Sequence, residues 1–161
     1  MHWSDVTDKV HVHVIYGEDS REQRALLRKA AEDRHVPAMY EYGVQCEGQE
    51  ERRYWLREAA HEEYVPAMYA FALECGKPRH SRVWLKRAAE EGHVLAMYAL
   101  ASETDDSWEK SRWLQIAAEE GYIPAMYDLA LLLNDPRERG RWLQEAARNG
   151  WQPAMAELCE A

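Results

Sequence analysis

The stretch WLQIAAEEGYIPAMY, Trp113 to Tyr127, decides the reading of this chain because near-copies of it recur along its length. LLRKAAEDRHVPAMY begins at Leu26, WLREAAHEEYVPAMY at Trp55, WLKRAAEEGHVLAMY at Trp84 and WLQEAARNGWQPAMA at Trp142. Paired alanines keep the register at Ala30-Ala31, Ala59-Ala60, Ala88-Ala89, Ala117-Ala118 and Ala146-Ala147, a period of 29 residues without slip. A fixed period in this range marks a stacked repeat, in which each unit buries its apolar face only against its neighbours.

Each repeat reads as two helices. The first, here the B-type helix, runs from Ser20 to about Arg34, with relatives over 50–63, 80–91, 108–120 and 137–149. Leu26, Leu27, Ala30 and Ala31 fall on one helical face. Ser20 and Gln23 form a capping-box pair, and Asp135-Pro136 places an N-cap before a proline at the first helical position. Gly92, Gly121 and Gly150 are stop signals, because glycine takes the left-handed conformation that closes a helix. Arg34 and Glu63 stand at the equivalent positions and must make that turn with a side chain, at some strain.

The second, A-type helix spans 36–47, 65–75, 94–104, 123–133 and 152–161, and Pro37, Pro66, Pro124 and Pro153 suit its first turn. Ala38, Met39, Tyr42, Gly43 and Cys46 form its core stripe. The small column Gly43, Ala72, Ala101, Ala130 and Cys159 implies close approach of a neighbouring helix. Trp55, Trp84, Trp113 and Trp142, each followed by leucine, read as core packing of the B-type helices, whereas Trp108 lies near a tight turn with room to be exposed. The expected fold is all-α, a right-handed α-α solenoid of five helical hairpins, with one domain over 20–161 that closes on a helix over 152–160. Residues 1–19 form a degenerate N-terminal capping element or an extended arm. Val10 to Val14 alternate with period two as a strand does, yet the repeat register runs back through them, which favours the helix.

These residues resemble Sel1-like repeats, the short cousins of tetratricopeptide repeats. The resemblance rests on W-L-x-x-A-A-x-x-G followed by A-M-Y-x-L-A/G and covers residues 20–161. It departs from the family in its short loops (Glu47-Gly48, Thr104-Asp105-Asp106, Asn134-Asp135) and in its period, below the ~34 residues of tetratricopeptide repeats. The resemblance implies a protein-binding scaffold or adaptor, with A-type helices lining a concave surface.

Charge is segregated along the repeat. The A-type helices carry Glu41, Glu47, Glu74, Glu103, Asp128, Glu157 and Glu160 and contain no Lys or Arg, although the chain has 20 basic residues. Tyr40, Tyr69, Tyr98 and Tyr127 would run along the same wall as Glu41, Glu74, Glu103 and Asp128. Aromatic faces beside carboxylates suit a basic, partly apolar protein or peptide. The competing reading assigns the tyrosines to the repeat's own packing and the acids to a solvated face. The leading function is therefore an adaptor binding one protein partner. The alternative is an inhibitor or immunity-type protein blocking the basic active site of a toxin or nuclease, and a third reading is a self-assembling structural protein.

A net charge of −9 argues against nucleic acid or an anionic membrane surface as the partner. No apolar run approaches the ~20 residues of a spanning helix, and MHWSDVTDKV lacks the pattern of a secretion leader. Three cysteines in such a chain point to reduced thiols and a cytoplasmic location, with Cys46 and Cys75 as packing residues. Seven scattered histidines give no metal-ligand spacing, and no nucleophile elbow or phosphate-binding glycine loop occurs. No catalytic residue, cofactor or metal is expected, and the chain reads as a monomer with self-association open.

Overall fold

A computed structural model describes residues 20–160, and the expectation for Val10 to Val14 lies outside them. Among the described residues the B-type helices are α1 (Ser20–Glu32), α3 (Gln49–His61), α5 (Pro78–Glu90), α7 (Ser107–Glu119) and α9 (Pro136–Arg148). The A-type helices are α2 (Val36–Gln45), α4 (Val65–Glu74), α6 (Val94–Glu103), α8 (Ile123–Leu132) and α10 (Gln152–Glu160). These boundaries lie within two residues of expectation at every start; the A-type ends come earlier, since Cys46, Cys75, Thr104 and Leu133 are extended C-caps.

The joints follow from local chemistry. Gly92, Gly121 and Gly150 take positive φ, and so do Arg34 and Glu63 at φ 63° and 61°. At each, the backbone closes by two hydrogen bonds. After α3, Tyr64 N donates to Ala59 O and Glu63 N to Ala60 O; after α7, Tyr122 N donates to Ala117 O and Gly121 N to Ala118 O. This crossed pair satisfies carbonyls that the helix end would otherwise leave without partners. Proline at the first or second position opens α2, α4, α8 and α9. Asp135 caps α9 through Arg137 N at 2.9 Å, and Asp106 caps α7 through Glu109 N at 2.8 Å. The side chain of Ser20 lies outside the described set, so the capping box proposed for α1 does too.

The chain divides into two compact units after Ser81, within α5. In the first, α2 packs on α1, α3 on α2 and α4 on α3. Its core is Leu27, Ala30, Ala31, Met39, Tyr42, Leu56, Ala59, Ala60, Met68, Phe71 and Ala72, all buried. The small column works there as expected: a Cβ on Gly43 would meet Trp55 Cβ and Leu56 Cδ2 at 3.2 Å, so α2 and α3 are in close contact. In the second unit, α7, α8, α9 and α10 each pack on the helix before them. Leu85, Ala88, Met97, Leu100, Leu114, Ala117, Met126, Leu129, Leu143 and Ala146 fill its core. Burying a leucine or methionine of this kind contributes about 1.5–3 kcal/mol.

Two columns differ from expectation. Of the four tryptophans only Trp113 is buried, while Trp55, Trp84 and Trp142 are half-buried. Arg87 and Arg141 lie 5.0 Å from the ring centroids of Trp84 and Trp142, so these indoles pack on one face and carry a guanidinium on the other. Cys159 ends the small column exposed, whereas Ala72, Ala101 and Ala130 in the same column are buried. No described helix is long and apolar enough to cross a membrane.

Candidate functional site

The A-type helices bring their tyrosines to a repeated half-buried position, and the residue after each turn decides what the ring meets. In the first unit the rings of Tyr40 and Tyr64 lie 5.5 Å apart at 57°. In the second, Tyr98 meets Tyr122 at 5.1 Å and Tyr127 meets Trp151 at 6.5 Å. Tilted pairs at these separations suit the ring quadrupoles. Each of these tyrosines therefore bridges its own repeat to the next while staying half-buried. Tyr69 takes the same half-buried position. Burial first, then the neighbouring Glu41 carboxylate, raises the Tyr40 phenol above its ordinary value.

Tyr98 goes further. Its hydroxyl donates to Asp128 Oδ2 at 2.8 Å, and burial together with that bond pushes its pKa up to about 12. Two residues read from the sequence as facing a partner thus face each other. The signal was hidden, because Asp128 is an alanine at the same position in the two preceding repeats, Ala70 and Ala99.

The acids divide into engaged and open sets. Glu74 accepts from Arg52 Nη1 at 3.2 Å, while Arg52 Nη2 and Nε donate to the Cys46 carbonyl at 2.8 and 3.1 Å. Arg52 thereby ties the C-cap of α2 to α4. Arg139, at the same repeat position, donates to Glu157 Oε2 at 3.3 Å, and that shared position was the available signal. Glu47 stands 4.0 Å from Arg24 and is almost fully exposed. Glu41 and Glu103 are exposed and form no ion pair among the described residues. Of the eight residues read as a binding set, these two carboxylates are the most available.

The B-type side of the joints holds its own polar network. Thr104, buried, donates to Glu109 Oε2 at 2.9 Å, and Arg82 Nη2 reaches the same oxygen at 2.6 Å. The Thr104 hydrogen bond and then Arg82 hold the Glu109 carboxyl below its usual range. His35 and His93 serve as N-caps, their Nδ1 accepting from Ala38 N at 3.3 Å and Ala96 N at 3.2 Å. Tyr64 and Tyr122 hold the same repeat position and cap nothing by side chain, so the position carries no periodic cap signal in the sequence. Trp108 is 72% exposed, with Arg112 beside its ring at 5.7 Å. Burial raises the Cys46 and Cys75 thiols, and Cys46, Cys75 and Cys159 are all free. No cluster of three metal-ligating side chains occurs among the described residues.

This geometry matches solved structures over most of the chain. A Sel1 repeat protein from Oxalobacter formigenes superposes with TM-score 0.79 at 24% identity, over 90% of this chain and 50% of that one. The fold is that of Sel1 repeat proteins. A protective antigen present in uropathogenic Escherichia coli strains, displaying an SLR fold, superposes with TM-score 0.81 at 19% identity, over 96% of this chain and 40% of that one. The chain spans half or less of the length of these two structures. No protein-family model and no curated protein matches the sequence. The Sel1-like fold identifies the architecture, an all-α solenoid of helical hairpins; which surface acts must come from its own residues.

Proposed function

We propose that this chain is a protein-binding scaffold whose A-type helices engage a basic, partly apolar protein or peptide. One observation carries the reading: the described A-type helices hold no Lys or Arg, and present the open carboxylates of Glu41 and Glu103 on the same helices as half-buried tyrosines. A partner's lysine or arginine would meet those acids, and its apolar stem would lie on tyrosine edges. In the first unit the set is Tyr40, Glu41, Tyr69 and Glu74; in the second it is Tyr98, Glu103, Tyr127 and Asp128. A cytoplasmic location fits the three free thiols.

The test separates binding from folding. Glu41→Lys and Glu103→Lys, made singly, reverse an exposed charge without touching the Arg52–Glu74 or Tyr98–Asp128 contacts. Immobilised wild type and variants are offered lysate, and the captured protein is then titrated at low and high salt. A basic partner lost by a folded variant and weakened by salt supports the reading; retention by both variants refutes it. A tight one-to-one complex with a nuclease or other toxin, blocking a basic active site, would favour the inhibitor reading that the net charge of −9 also supports. Exposed Met155 and Leu158, one period after buried Met126 and Leu129, support self-association as a third reading, read from sedimentation at several concentrations.

A further inference from the structure

The first unit keeps open a seam that the second closes. Val44 and Leu73 hold one repeat position on α2 and α4, and both are exposed, at 49% and 62%. Each follows a tyrosine, Tyr40 or Tyr69, by one helical turn and so shares its face. α2 contacts α4, and the Tyr40 ring lies against Tyr64 just before the start of α4. Single exposed aliphatic residues are ordinary. Two at one position on touching helices, each a turn from a half-buried ring, make a patch.

In the second unit the same seam is bridged from within. Tyr98 of α6 donates to Asp128 of α8, and Ser102 stands where Val44 and Leu73 do. In the first unit Ala70 holds the position of Asp128, and the Tyr40 hydroxyl makes no hydrogen bond among the described residues. Carboxylates border the patch. Glu41 forms no ion pair among the described residues, and Glu47, 4.0 Å from Arg24, is almost fully exposed. Neither α2 nor α4 contains Lys or Arg.

We propose, resting on the acidic A-type reading above, that α2 and α4 seat one cationic amphipathic helix of a protein partner, two leucine-class side chains of which cover Val44 and Leu73. The spacing selects a helix. Axes of touching helices lie ~8–10 Å apart. Residues seven apart on a helix share a face at ~10.5 Å, whereas same-face residues of a strand fall at ~6.6 or ~13 Å. Lysines or arginines flanking that apolar stripe meet Glu41 and Glu47, and the Tyr40 hydroxyl is left for a polar side chain of the partner.

Fluorescence anisotropy of the whole chain with two labelled, alanine-based synthetic peptides tests this. Both carry flanking lysines; the first has two leucines seven residues apart, the second has them five apart, on different helical faces. Wild type is expected to bind the first one-to-one, with a gain in helical circular dichroism, and at least about fivefold more tightly than the second. Leu73→Ser and Val44→Ser install the residue of the third repeat and leave every charge in place. Each is expected to weaken binding at least about fivefold with an unchanged melt, while Leu131→Ser, on the second unit, leaves affinity as it was. Equal affinity in wild type and Leu73→Ser overturns the seat; if Glu41→Lys still weakens that binding, the acidic A-type reading stands without it. Equal binding of the two peptides overturns the helix. Absence of saturable binding to wild type overturns the whole proposal, and capture from lysate by the Glu41 and Glu103 variants then judges the wider reading by itself.

Discussion

Glu63→Gly should stabilise this protein, although it removes a side chain and adds a flexible residue. Glu63 holds φ 61° at the closing turn of α3, with the two backbone hydrogen bonds that Gly121 makes after α7. A side chain in the left-handed region costs about 1–2 kcal/mol, because its Cβ crowds the following carbonyl oxygen. Glycine escapes that cost but gives the unfolded chain more freedom, returning about 0.5–1 kcal/mol. The balance is a gain of roughly 0.5–1 kcal/mol, or about 1–4 °C in melting temperature for a chain of this length. The reverse exchange, Gly121→Glu, meets no steric obstacle, since nothing lies within 4 Å of a Cβ built there. Its cost should therefore mirror the gain. Thermal and urea melts followed by circular dichroism measure both. Arg34→Gly would also break the Arg34–Glu62 ion pair, so its melt reports the turn and that pair together. A Glu63→Gly melt at or below wild type, or a neutral Gly121→Glu, refutes the reasoning that these turns need the left-handed conformation.

Two further outcomes concern titration. Burial lowers the His93 pKa below the ordinary 6.5, so the folded state resists a proton that the unfolded state accepts. The unfolded chain then binds more protons below about pH 6.5, and stability falls as pH falls through that window. His93→Asn keeps a capping acceptor and should flatten this acid limb in pH-dependent melts; an unchanged limb would place the effect elsewhere. Tyr98→Phe removes the bond to Asp128 and should cost about 1 kcal/mol at neutral pH. Because the folded Tyr98 pKa stands at about 12 against 10 unfolded, the unfolded chain loses its proton first and wild type weakens between those values. The phenylalanine variant should lose less there, and equal alkaline loss in both proteins would contradict the assignment.

Most of the fold was legible because repetition averages local signals. Five copies of an alanine pair fixed the register, and the glycines at three joints identified Arg34 and Glu63 as strained equivalents that no single-copy reading would have found. Gly43 was legible as a close approach for the same reason. What escaped was whatever breaks the repeat. Asp128 follows Ala70 and Ala99 in its column, so Tyr40 and Tyr69 have no acid one repeat on and the bond to Tyr98 left no trace in the earlier repeats. The histidine caps were hidden because His35 and His93 share their position with Tyr64 and Tyr122, which cap nothing by side chain. Glu74 looked like a free acid because Arg52 is distant in sequence and near in space. The candidate site was legible as composition and only partly as geometry.

The equivalence of Asp106 and Asp135 as caps has a consequence for inheritance. Excising residues 107–135 would join Asp106 to Pro136 and recreate the Asp-Pro start of α9 at the new junction. The helix arriving there would offer Trp142, Leu143 and Ala146 where Trp113, Leu114 and Ala117 had been, against Met97, Leu100 and Ala101. Loss or duplication of such a cassette changes length without demanding a new interface. A substitution such as His80, where the other four copies carry glutamate, is then how a repetitive chain acquires addresses along its length.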